Sequence, residues 1–121
     1  MFEVNIKFAS KELSAKERIS FKDTQNAIKL DEAANDNCEI YPAYYGVLDI
    51  HNDKAEPQDY ENYVIVDENG DKYVTGSSSF WNSFKGIADE MVGESERWGI
   101  KVYKKDSKNY KGKKFIQCSI I

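Results

Sequence analysis

The chain has 121 residues, of which 40% are apolar, 13% aromatic and 31% charged, a composition that excludes a disordered tail and suits a single folded domain. Its longest largely apolar run, Ala43 to Leu48, stops at Asp49 and is far short of the roughly 20 residues of a membrane-spanning helix. The net charge of -4 hides a polarity: residues 1–96 hold 9 basic and 20 acidic residues, a sum of -11, and residues 97–121 hold 8 and 1, a sum of +7.

Phe2, Val4, Ile6 and Phe8 alternate with polar residues, which predicts a strand and lacks the basic leader and apolar block of a secretory signal. A cytoplasmic protein without a membrane partner is therefore expected, with one domain over 1–121. Ser14 and Glu17 have capping-box spacing, although the apolar positions that follow are sparse, so a short helix and a turn into a strand near Arg18 to Phe21 both fit. Asp31 to Asn37 reads as a polar helix end or a loop. Glu39 to His51 is rich in aromatic and β-branched residues, with the regular strand starting after Pro42. Along it, Tyr44, Gly46, Leu48 and Ile50 share the face better suited to the core, opposite Tyr45, Val47, Asp49 and His51.

After a charged loop from Asn52 to Asp59, two β-rich runs, Tyr63 to Val66 and Lys72 to Thr75, flank Asp67 to Asp71. Asn69-Gly70 between them predicts a hairpin in which both turn residues accept a positive φ. Phe80, Trp81, Phe84, Ile87, Ala88, Met91 and Val92 recur at helical spacing, with cap candidates at Ser77 to Ser79 and a stop at Gly93. Trp81 and Phe84 lie on the apolar stripe and are read as core. Two further strands, Gly99 to Lys105 and Lys113 to Ile121, end the chain around a basic connection.

Cys38 and Cys118 stand far apart with no CxxC or CxxH neighbour, so they read as reduced cysteines in or near strands. His51, the single histidine, has no second histidine to share a metal. No Gly-rich phosphate loop, HExxH, GxSxG or Cys/His nucleophile arrangement is present, and neither an enzyme nor a cofactor is expected.

The informative constellation lies in the basic end. Strand alternation puts Lys101, Tyr103 and Lys105 on one face, and the connection adds Lys108, Tyr110, Lys111 and Lys113. Amines beside rings suit single-stranded nucleic acid, because the amines follow phosphates while the rings stack on unpaired bases. Trp98 and Tyr45 are further stacking candidates. The order of strands, helix and two strands joined by a loop matches an OB-fold, whose last loop contacts oligonucleotides. The fold expected is mainly β: an OB-like five-stranded barrel, with one α-helix between the hairpin and the last two strands.

The second half resembles the small single-stranded DNA-binding proteins of bacteriophages with protein-primed linear genomes. The resemblance covers roughly residues 60–121. It rests on the Asp67 to Gly70 turn followed by Tyr73, a Ser-opened helix from Ser77 to Val92, Ile100-Lys101-Val102, then Ser107-Lys108, Gly112 and an aromatic strand from Phe115 to Ile121. It implies sequence-tolerant binding of displaced DNA strands in phage replication or recombination, in the host cytoplasm, with replication proteins as further partners. Two other classes compete. A small acidic inhibitor could mimic DNA by lining its carboxylates up on one face, and an assembly module would oligomerise through its tyrosines without salt-sensitive DNA affinity.

Overall fold

The computed structural model describes residues 2–106 and 114–121. Its elements run β1 (Phe2–Ala9), α1 (Ala15–Lys22), β2 (Ile28–Lys29), α2 (Leu30–Ala33) with a 3-10 turn at Ala34–Asp36, then β3 (Cys38–Ile40), β4 (Pro42–Asn52), β5 (Asp59–Asp67) and β6 (Lys72–Thr75). α3 (Ser78–Met91), β7 (Ile100–Asp106) and β8 (Lys114–Ile120) follow. Five strands form one sheet in the order β1-β4-β5-β6-β2, and β3-β7-β8 form a second. All pairings are antiparallel except β2 with β6.

The chain is mainly β, and α3 lies between the hairpin and the last two strands as its apolar spacing predicts. The five-stranded barrel is not what the described residues form. Closure needs the edge strands to be hydrogen-bonded to each other. Here the larger sheet ends at β1 on one side and the two-residue β2 on the other, while β3, β7 and β8 pair among themselves. One residue, Tyr41, separates β3 from β4 and carries the chain from the smaller sheet to the larger. No helix among the described residues is long and apolar enough to cross a membrane.

β4 is an interior strand, paired with β1 and β5, and both of its faces are covered. Leu48 and Ile50 pack with Val64, Val66 and Val74 beneath Leu13 and Phe21. Tyr45 and Val47 join Tyr63, Ile65 and Tyr73 beneath α3 and the inner face of the smaller sheet. The choice of one core face for this strand is thus corrected: a strand with layers on either side buries both sets of residues. Gly46 lets β1 and α1 close over it, since a Cβ there would stand 2.1 Å from the Phe8 carbonyl oxygen and 2.9 Å from the Phe21 ring. The register of β1 shifts between Ile6 and Phe8. That bulge turns Phe8 away from the side of Val4 and Ile6 and brings its ring within 6.5 Å of Tyr45.

The capping box decides the region after β1 in favour of a helix. The Ser14 hydroxyl accepts from the Glu17 backbone N–H at 3.2 Å, and the Glu17 carboxylate accepts from that of Ser14 at 2.9 Å. In α3, Ser77 caps the Phe80 N–H, and Phe80, Trp81, Phe84 and Ala88 are buried on the inner stripe. Val92 lies beyond the last turn and is 69% exposed. Cys38 and Cys118 are free thiols that both pair across Val102, two strand spacings or about 10 Å apart, too far for a disulfide. Burial pushes the Cys118 thiol up to about 11.

At the hairpin only Gly70 takes a positive φ, 89°, so the expectation for Asn69 is corrected. The buried Asp67 carboxylate organises the turn instead, accepting from the Asn69 and Asp71 N–H groups at 2.9 Å each. Asp67→Ala would strip a charged acceptor from two amides, and a destabilisation of about 2 kcal/mol is expected, read as a lower urea midpoint at unchanged m.

Candidate nucleic-acid interface

The smaller sheet has two unlike faces because its strands alternate. Ile40, Ile100, Val102, Ile116 and Cys118 point into the core. On the other side, Lys101 and Lys105 are exposed and Tyr103 is half-buried between them. The ladder sets Ser119 opposite Lys101, Gln117 opposite Tyr103 and Phe115 opposite Lys105. The Tyr103 hydroxyl lies 2.9 Å from the Ser119 hydroxyl, while Gln117 accepts from Ser83 of α3 at 2.8 Å. The pairing of hydroxyls holds the Tyr103 ring against the sheet. Lys101 and Lys105 are four residues apart, about 13 Å along the strand, with Tyr103 between them and its hydroxyl leaning toward Ser119, opposite Lys101.

Lys7, Lys11, Lys85 and Arg97 are held in salt bridges, to Glu61, Glu17, Asp89 and Glu68. Lys101, Lys104, Lys105 and Lys114 form none among the described residues, although Glu39 stands opposite Lys101 in the β3–β7 ladder. Lys104 and Lys114 line a shallow cleft of about 330 Å³ with Asp31, Ser77 and Phe115, so positive charge occurs on both sides of this strand pair.

Of the residues singled out from the sequence, Lys101, Tyr103 and Lys105 are brought together on one accessible face. Lys108, Tyr110, Lys111 and Lys113 lie outside the described residues. Tyr45 is corrected to a core residue. It is 7% exposed, and the Phe84 ring meets it edge-on at 4.9 Å, leaving no surface for a base. Trp98 is likewise no free platform, being half-buried against the core with its ring 6.1 Å from Phe84.

Two residues on the outer face were not anticipated. Tyr41 lays its ring over Gly99, where a Cβ would stand 2.6 Å from ring atoms, and the Arg97 guanidinium lies 3.7 Å from the Tyr41 centroid. A glycine beside a β-patterned run is the available signal, since it marks a close approach onto a strand.

At the far end of the larger sheet, Glu3, Asn5, Asp49, His51, Asp59 and Glu61 line an open groove of about 450 Å³. Several of its charges are partnered. Lys7 holds Glu61, and His51 contacts Asp59 through Nδ1 at 2.7 Å and Asp53 through Nε2 at 2.6 Å. Hydrogen bonding to Asp59, then to Asp53, raises the imidazole pKa above its ordinary 6.5. A raised folded-state value means that the stabilisation is fully present below pH 6.5 and is lost as pH rises through the folded-state value. The single-histidine NMR titration should give a midpoint above 6.5, and His51→Gln should lose the stability difference between pH 6 and the alkaline side. A midpoint at or below 6.5 would contradict the pairing.

No protein-family model, curated protein or solved structure matches this chain.

Proposed function

We propose that the protein binds single-stranded DNA without marked sequence preference, acting in phage DNA replication or recombination, through the outer face of β7 and β8. The observation that carries this reading is the Lys101-Tyr103-Lys105 row, its two lysines exposed and without salt bridges among the described residues and its ring half-buried between them. A ring between two amines offers one base a stacking surface and its flanking phosphates two cations. The element order β5-β6-α3-β7-β8 and the resemblance of residues 60–121 to phage single-stranded DNA-binding proteins support an OB-like origin for this half, although the sheets are open. Replication proteins are the further partners this role implies.

The acidic-inhibitor reading has one favourable observation, the four carboxylates in the groove at the far end of the larger sheet. Lys7 and His51 already partner Glu61 and Asp59, which weakens a phosphate-like display. Fluorescence anisotropy at low salt separates the two classes. Preference for labelled oligo-dT over a duplex of equal length is expected, and no binding to either would favour the inhibitor.

A further inference from the structure

We propose that Arg97 and Tyr41 form a second base-stacking platform on the outer face of the smaller sheet, beyond Lys101 from Tyr103; this rests on the single-stranded DNA reading. The pair is built from four residues. Gly99 precedes β7 and has the same strand parity as Lys101 and Tyr103, so the side where its Cβ would stand is their face. Lacking that Cβ, it lets the Tyr41 ring lie flat on the strand, with Cδ1 and Cε1 2.6 Å from the missing atom. Arg97 then covers the ring at 3.7 Å from its centroid.

Glu68, from the hairpin turn, fixes the plane of the guanidinium. Arg97 Nε donates to both carboxylate oxygens at 3.1 and 2.9 Å, and Nη2 reaches Oε2 at 2.8 Å. Glu68 is itself anchored, its backbone N–H donating to the Tyr41 carbonyl at 2.9 Å. One edge held by Glu68 and one face covered by Tyr41 leave the other face of the guanidinium open, and the Arg97 side chain is 61% exposed. A planar cation pre-stacked on an aromatic ring is a surface on which unpaired bases stack. Because Glu68 neutralises Arg97, the platform recognises bases rather than phosphates, and it complements the lysines instead of repeating them.

Arg97→Lys is the decisive variant, since it keeps the charge and a partner for Glu68 but loses the plane. Tyr41→Leu is the second, keeping an apolar cover over Gly99. Each is titrated against oligo-dT and against an abasic oligomer of the same length, with thermal melts confirming the fold. The expected result is affinity for oligo-dT weaker by about 5-fold or more, the low end of one base stack, with abasic binding and the salt slope unchanged. Unchanged oligo-dT affinity in Arg97→Lys would overturn the platform and leave the lysine–tyrosine row standing. Equal weakening for both oligomers would mean that Arg97 meets a phosphate and would also overturn it. Failure of the wild-type protein to bind oligo-dT at all would overturn the platform together with the reading on which it rests.

Discussion

Replacing Phe84 by alanine is expected to destabilise the protein by about 3–5 kcal/mol, the usual range for a fully buried phenylalanine. Phe84 is 0% exposed and stands where three layers meet. Its ring contacts Tyr45 of β4 edge-on at 4.9 Å, Trp81 at 5.3 Å, Phe80 at 6.2 Å along α3, and Trp98 at the entry to β7 at 6.1 Å. Truncation would leave a cavity that these rigid rings cannot collapse to fill, so the transfer penalty and the cavity cost add. For a domain of this size the change corresponds to a melting point lower by about 10–20 °C. Phe84→Leu, which keeps most of the volume, should lose less than half as much. Equal melting points for wild type and Phe84→Ala would mean that α3 does not bind the two sheets together as described.

Tyr103→Ala is expected to weaken oligo-dT binding by roughly 1–3 kcal/mol, about 5- to 150-fold, with little change in stability. The ring is half-buried on the outer face, outside both core clusters, so its removal leaves the core intact. Tyr103→Phe separates the ring from its hydroxyl. It removes only the hydrogen bond with Ser119 and should retain most of the affinity if stacking is the dominant interaction. Anisotropy titrations of the three proteins at one salt concentration decide this. Wild-type affinity in Tyr103→Ala would remove the ring from the site.

Local signals in the chain were enough to predict most elements. Period-two alternation gave β1 and β7, Gly70 between β-rich runs gave the hairpin, and the Phe80–Trp81–Phe84–Ala88 stripe gave α3, whereas the Ser14–Glu17 pair left a helix and a turn into a strand both open, and the fold chose α1. What failed depended on tertiary neighbours. Tyr45 looks like a candidate surface ring in a strand with one preferred core face, but β4 is an interior strand covered on both sides. The bulge that reverses Phe8 is a pairing event and leaves no local mark in the sequence. Barrel closure was a matter of which strands pair at the edges, and the passage from β3 through Tyr41 to β4 sends the chain into a second sheet.

The same distinction applies at the site. Lys101, Tyr103 and Lys105 were legible because i, i+2 and i+4 in one strand must share a face. Tyr41, Glu68 and the Arg97–Gly99 stretch lie far apart in the chain, and only folding brings them together. Trp98 follows Arg97 in sequence yet turns its ring toward Phe84, since adjacent residues in extended backbone point opposite ways.

The most direct test is a salt titration of oligo-dT binding, run in parallel on the wild-type protein and on Lys101→Ala/Lys105→Ala. Neutralisation of phosphates by these amines predicts a linear fall of log K with log salt for the wild type. The double variant should show a slope shallower by about 1.4, at roughly 0.7 for each single-strand phosphate that is no longer neutralised. Identical slopes, or no wild-type binding at the lowest salt, would contradict a DNA-binding role for the outer face of β7 and β8.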